Sequence, residues 1–304
     1  MNLRDFEYIV AVAELGHFGK AAAACHVSQP TLSGQIRGLE QHLGVAIFER
    51  TKRMVAVTPA GASIIERAKA SLAAAAAIEE IAAAMKNPLS GPFRLGVIPT
   101  IAPYLMPALI PALARALPAV ELSVAENFTR DLETRLAAGD LDAVVIASEP
   151  EAPRLSSIPL YDEPFWVALP KGHRLDTREE IDLADLKEER LLLLSQGHCL
   201  RDQVLSFYPA IRNDPAVVNT EETSLTTILA LVGGGFGITL VPAMSLAGPW
   251  VTDAGIVVRR EASGVARRQV RLAFRHSFPR MALIDRVADV IAASLPDTVT
   301  AERR

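Results

Sequence analysis

Apolar residues recur at helical spacing from the start of the chain. Phe6, Val10 and Ala13 share one face, and Gly16 ends the run. A short alanine-rich helix is predicted from Phe18 to about Cys25, followed by the turn His26-Val27. Ser28 then suits an N-cap and Pro30 a first helical turn. Leu32, Ile36, Leu39 and Leu43 form the next buried stripe, and Gly44 suits the closing C′ position. From Phe48 to Thr58 the pattern alternates around a basic tip, as in a small hairpin. Thr58-Pro59-Ala60-Gly61 starts a long helix with twelve alanines between Ala60 and Ala84. Its narrow stripe, Ile65, Ala68, Leu72, Ala75 and Ile78, predicts pairing with a second copy; the alternative is an alanine-rich spacer.

Asn87-Pro88-Leu89-Ser90-Gly91-Pro92 reads as a hinge, after which strand and helix patterns alternate. Strands are expected at Phe93–Val97, Val120–Val124, Asp142–Ala147, Leu191–Leu194 and Ile238–Val241. Helices are expected after Pro99-Thr100, over Arg130–Ala138 and over Thr223–Val232. This predicts an α/β domain with ligands near strand ends and helix N-termini, where Thr100, Gly197 and His198 fall. The run Gly233–Gly237 lacks phosphate-loop spacing and reads as a helix stop. The domains are then 1–58, a linker and dimerisation helix 59–86, a hinge 87–92 and a larger domain 93–304. Its lobe I covers about 93–162 and 267–304, and its lobe II about 163–266.

A length of 304 residues suits two domains, and 50% hydrophobic residues suffice for real cores. No uncharged apolar run approaches a membrane span, and MNLRDFEYIV lacks a signal-peptide core, so no membrane partner is expected and the cytoplasm is the expected compartment. Net charge is −4. Residues 1–86 carry nine Lys/Arg and eight Asp/Glu, net +1, which leaves −5 for the rest. Charge alone does not announce a nucleic-acid binder. Two cysteines, Cys25 and Cys199, exclude a disulfide scaffold or a cysteine-rich zinc site. His17, His26 and His42 have no ligand at a suitable spacing, so no metal and no cofactor is expected. Trp166 and Trp250 read as core or edge residues.

The helix after Ser28 presents Gln29, Pro30, Thr31, Ser33, Gln35 and Arg37 opposite its apolar stripe. Amide, hydroxyl and guanidinium groups there can read base edges, while a helix N-terminus favours a phosphate. The bland alternative is a solvated polar face. Arg50, Lys52 and Arg53 in the hairpin are placed for phosphate contact. A winged helix-turn-helix reading double-stranded DNA follows.

Leu3-Arg4-Asp5-Phe6, Ala21-Ala22, Ser28-Gln29-Pro30-Thr31-Leu32-Ser33, Leu39-Glu40, Leu43-Gly44, Phe48-Glu49-Arg50 and Thr58-Pro59-Ala60-Gly61 together resemble the LysR-type transcription regulators. The likeness covers the whole chain and is most specific over residues 1–65. It implies an N-terminal winged helix-turn-helix, a long linker helix and a periplasmic-binding-protein-like two-lobed effector domain. It implies promoter DNA as partner, RNA polymerase as a further one, and a homodimer or homotetramer.

Gly96-Val97-Ile98-Pro99-Thr100 and Gly197-His198-Cys199-Leu200-Arg201-Asp202-Gln203 resemble the hydrogen-peroxide-sensing branch of that family. There the cysteine of the second motif reacts with peroxide, and the positions of Thr100 and Thr129 help to hold it. The branch's second redox cysteine lies nine residues on, where this chain has Tyr208. An intramolecular disulfide to that position is thereby excluded. Cys25 reads as a buried helix residue in the other domain. Cys199 opens a predicted helix, whose dipole favours thiolate, and His198 and Arg201 are candidate donors and positive charges. The alternative is a small buried residue. Thr100 and Thr129 read equally as helix caps. Three functions follow: a regulator sensing peroxide through Cys199, a regulator binding a small metabolite between the lobes, or a thiol peroxidase. Only the last is an enzyme, and it would not need residues 1–86.

Overall fold

In the computed structural model, which describes residues 1–50, 55–187, 189–209, 218–219, 224–247 and 255–301, helix α1 (Leu3–Leu15) starts at a reciprocal cap. Asn2 Oδ1 accepts from the Asp5 amide at 3.0 Å, and Asp5 Oδ2 accepts from the Asn2 amide at 2.8 Å. Gly16 ends the helix at φ 60°, a left-handed turn that glycine adopts without strain. Helix α2 (Phe18–Ala24) begins at His17, whose Nδ1 accepts from the Gly19 and Lys20 amides. His17 is therefore a cap. Cys25 lies just beyond α2 and is half-buried, which corrects the expectation of a buried helical residue. Helix α3 (Gln29–Leu43) is capped by Ser28 and buries Leu32, Ile36 and Leu39 against Tyr8, Ile9, Val12 and Phe18.

Strands β1 (Phe48–Arg50) and β2 (Val55–Val57) pair antiparallel as the expected hairpin. Glu40 fixes its base: Oε1 accepts from the Ile47 and Phe48 amides at 2.8 and 3.1 Å. Helix α4 (Pro59–Lys86) follows, with Thr58 Oγ1 accepting from the Gly61 amide at 2.8 Å. A Cβ on Gly61 would lie 2.2 Å from the Ile47 carbonyl oxygen, so only glycine permits this approach. Ile65 and Ala68 bury into the core that contains α1. This shortens the expected pairing stripe. Only Leu72 and Ala75, both half-buried, and Ile78, 69% exposed, remain for a second copy.

Residues Met1–Lys86 and Asn87–Arg304 form separate compact units. In the second, strand β3 (Gly91–Val97) already includes Gly91 and Pro92, so the expected hinge ends at Ser90. Helix α5 (Ala102–Ala116), β4 (Val120–Glu126), α6 (Thr129–Ala138) and β5 (Ala143–Ile146) follow, with β4 and β5 parallel to β3 on either side. Strand β6 (Leu155–Pro170) is sixteen residues long. Next come β7 (Glu180–Ile181), β8 (Leu192–Leu193), α7 (Cys199–Phe207), β9 (Val218–Asn219), α8 (Leu225–Gly233) and β10 (Thr239–Pro242). The chain continues through β11 (Ile256–Glu261), β12 (Arg267–Arg275), α9 (Met281–Ala293) and β13 (Thr300–Ala301). The expected strand over Leu191–Leu194 shrinks to the two residues of β8.

The sheet runs β4-β3-β5-β12-β6-β11-β7, with β10 and β13 also on β6. The first part of β6 pairs with β12, and its last part pairs with β10 and β11. Two apolar cores flank this shared strand. One holds Phe93, Leu105, Val144, Tyr161, Leu272 and Ile284; the other holds Phe165, Leu193, Leu200, Val204, Ile228 and Leu240. Among the described residues no helix is long and apolar enough to cross a membrane. Lys52, Arg53, Thr223, Trp250 and the Arg50 side chain fall outside the described residues.

Candidate functional site

The N-termini of α6 and α7 meet. Phe128 precedes α6, His198 precedes α7, and their rings pack edge-to-face with centroids 4.7 Å apart. Gly197 makes the approach at φ 101°, a backbone conformation that favours glycine. Thr129 and Cys199 are the first residues of the two helices, and the Thr129 hydroxyl is buried at the junction without a hydrogen-bond partner among the described residues.

Beneath this junction lies a buried ion pair between β6, which serves both cores, and β12, its neighbour in the sheet. Arg268 Nε donates to Glu163 Oε2 at 2.8 Å, with both side chains 0% exposed. Arg268 Nη1 donates to Thr100 Oγ1 at 3.1 Å, and Nη2 to the Thr100 carbonyl at 3.3 Å. The other carboxylate oxygen, Glu163 Oε1, accepts from the Met244 amide at 2.6 Å. Burial works against a charge on Arg268, but Glu163, the thiol and Tyr161 outweigh it and hold the guanidinium protonated. Tyr104 and Tyr161 lie close enough for Arg268 to act on them, and burial keeps both phenols protonated.

The thiol is not pre-ionised. Burial pushes the Cys199 pKa up and outweighs the opposing effects of Arg268, the Thr129 hydroxyl and the Leu200 amide, while Asp202 adds to the rise. This corrects the expectation that the helix dipole, His198 and Arg201 favour thiolate. Burial pushes His198 below its ordinary value, so the ring is neutral near pH 7. Arg201 turns its Nη1 to the Leu194 carbonyl at 3.0 Å. The cation that acts on the sulfur is Arg268. Neither threonine is a cap: α5 starts after Ile101 and α6 after Phe128.

The structure thus brings Cys199, Thr129, Thr100 and His198 to one junction, together with Arg268 and Glu163, which the sequence reading did not single out. The signal was present. On β12, Arg268 is in phase with buried Val270 and Leu272, and on β6 Glu163 is in phase with buried Tyr161 and Phe165. An opposite pair of charges inside two apolar rows needs a reason.

In the first unit Ser28, Gln29, Pro30, Thr31, Gln35 and Arg37 are exposed and Ser33 is half-buried. Ser28 and Thr31 hydroxyls lie 2.7 Å apart. Gly34 and Gly38 leave open space on the same helix. The result is a polar ridge with shallow gaps.

Comparison with known proteins agrees with both units. Residues 3–62 match the model for bacterial regulatory helix-turn-helix proteins of the lysR family, and residues 86–296 match the LysR substrate binding domain. The chain is 40% identical over 295 residues to the DNA-binding transcriptional dual regulator OxyR of Escherichia coli K12, covering 97% of this chain and 96% of that protein. A solved full-length OxyR cysteine mutant from Pseudomonas aeruginosa is 40% identical with a TM-score of 0.81, covering 100% of this chain and 99% of that one. A Corynebacterium glutamicum OxyR cysteine mutant, solved H2O2-bound, is 35% identical with a TM-score of 0.66, covering 96% and 92%. The chain therefore belongs to the LysR family of bacterial helix-turn-helix regulators.

Proposed function

We propose that this regulator senses hydrogen peroxide through Cys199 and reports it to promoter DNA bound by α3 and the wing. The observation that carries the reading is the junction itself: a half-buried thiol at the start of α7, the unpartnered buried hydroxyl of Thr129 at the start of α6, and a buried Arg268 whose Nη1 and Nη2 donate to Thr100. Peroxide is small, neutral and rich in donors and acceptors, and a guanidinium flanked by two hydroxyls suits it. The sulfur lone pair attacks one peroxide oxygen and the O–O bond breaks. The thiol proton and the departing hydroxide leave as water, and the sulfur ends as sulfenic acid. Because burial keeps the thiol protonated, the site works by holding and polarising peroxide while the thiol proton passes to the departing oxygen, rather than by storing a thiolate.

Tyr208 follows α7 and is buried in the second core, and Cys25 belongs to the first unit. The oxidised state is accordingly read as sulfenic acid or as a mixed disulfide with a small thiol. Gln29, Thr31, Ser33, Gln35 and Arg37 face the major groove, and Arg50, Lys52 and Arg53 meet phosphates. Two copies pair through Leu72, Ala75 and Ile78 of α4.

The test is promoter footprinting over a peroxide series with the wild-type chain and Cys199→Ser. The expected result is a peroxide-dependent change of footprint in the wild type alone. A Cys199→Ser chain that still responds would sink the proposal and favour a metabolite-binding regulator.

A further inference from the structure

Arg268 sits where the oxidation chemistry of Cys199 needs a cation, yet nothing about an arginine side chain holds it there. Its stem has four rotatable bonds, and an unanchored guanidinium samples many positions. Four contacts remove that freedom. Glu163 Oε2 takes Nε, Thr100 takes Nη1 and Nη2 through its hydroxyl and carbonyl, and the Phe165 ring lies under the guanidinium with 6.0 Å from Cζ to centroid. Glu163 is the only carboxylate among the described residues paired with Arg268, and it is itself anchored at its second oxygen by the Met244 amide. Arg268 and Glu163 are cross-strand partners in register on β12 and β6. The backbone sets where the carboxylate stands, the carboxylate sets where the guanidinium points, and the guanidinium meets Thr100.

We propose that Glu163 is a positioning residue for the reaction of Cys199 with peroxide: it aims the Arg268 fork at Thr100. The inference rests on the peroxide-sensing reading and adds to it a residue that never touches the peroxide. A glutamate is required because both oxygens accept hydrogen bonds. Glutamine offers one acceptor oxygen, so its amide NH2 must face either the Met244 amide or Arg268, donor against donor. In either case the guanidinium loses its alignment. A misplacement of about 1 Å in such a group costs up to about a hundredfold in rate.

Among the described residues, Arg268 on β12 and Asp202 on α7 act on the thiol and His198 precedes it, while Glu163 and Tyr161 on β6 and Tyr104 on α5 face Arg268. Glu163→Gln changes only one of them. Two electrophiles separate positioning from simple thiol reactivity. Hydrogen peroxide needs the aligned donors, whereas iodoacetamide needs only an accessible thiolate.

The experiment measures second-order rate constants of the full-length chain with both reagents between about pH 6 and 9, reading Cys199 by quenched mass spectrometry. For Glu163→Gln the peroxide rate constant falls at least tenfold while the iodoacetamide rate constant stays within about threefold, so their ratio drops at every pH. Glu163→Asp keeps two acceptor oxygens and recovers part of the peroxide rate. A peroxide rate within twofold of wild type in Glu163→Gln overturns the assignment. So does a proportional fall with both reagents, or Glu163→Asp reacting no faster than Glu163→Gln. If Glu163→Gln fails to fold, Glu163→Asp alone decides: a lower peroxide-to-iodoacetamide ratio than wild type supports the assignment, and an unchanged ratio overturns it. A wild-type chain inert to peroxide would instead defeat the peroxide reading itself.

Discussion

Replacing Arg268 with Met removes the cation but keeps most of the side-chain volume, and it leaves Glu163 stranded. Both members of the pair are fully buried, and without Arg268 the carboxylate keeps the Met244 amide as its hydrogen-bond donor among the described residues. Removing one partner of a buried ion pair costs about 3–5 kcal/mol, because the survivor stays desolvated and uncompensated. That is a large share of a typical total stability of about 5–15 kcal/mol. With a urea slope of roughly 3 kcal/mol per M for a unit of this size, the unfolding midpoint drops by about 1–1.7 M at pH 7.5. The cost depends on pH with a fixed sign. A stranded carboxylate is relieved by taking up a proton in the folded state, so the loss is full near neutrality and shrinks as pH falls. Adding Glu163→Gln to Arg268→Met removes the charge while leaving an acceptor for the Met244 amide, and it restores much of the midpoint at pH 7.5. Tryptophan fluorescence follows this cleanly, since Trp166 and Trp250 both belong to the second unit. An unchanged midpoint in Arg268→Met would refute the reasoning. A loss of equal size at pH 5 and pH 7.5 would refute it too.

Leu72→Glu puts a charge into the short apolar stripe of α4 and is expected to shift sedimentation towards monomer; an unchanged oligomer would remove α4 from the interface. Burial holds the Cys199 thiol above its ordinary pKa of 9.0, so its peroxide rate constant should climb with pH up to about 9 without a plateau, and a plateau near pH 6 would show a stored thiolate. Gly61→Ala drives a Cβ to 2.2 Å from the Ile47 carbonyl oxygen. It should cost the first unit about 1–3 kcal/mol by calorimetry, and a neutral effect would mean the hairpin base yields freely.

Local signals carried the first unit well. Ser28, Pro30 and Gly44 mark α3 because capping and positive φ are properties of short segments. They carried less of the second. The antiparallel pairing of β6 with β12 joins residues more than a hundred positions apart, so its register, and with it the pairing of Glu163 and Arg268, lies beyond any local period. Cys199, Thr100 and Thr129 were legible through the motifs that hold them, but their electrostatics were not. The sequence suggested His198 and Arg201 as the positive neighbours because they adjoin Cys199 in the chain. Folding makes His198 neutral by burial, sends Arg201 to the Leu194 carbonyl, and supplies the charge from a strand distant in sequence. The α4 stripe shortens for a related reason: periodicity shows that Ile65 and Ala68 are buried, not which surface buries them.

The central claim is tested most directly by mass spectrometry of the intact wild-type chain after graded peroxide, with a sulfenic-acid trap and without added thiol. The account predicts trapped sulfenic acid at Cys199 in proportion to peroxide, an unmodified Cys25, and no disulfide within the chain. Cys199 remaining a thiol while the promoter footprint still changes would contradict it.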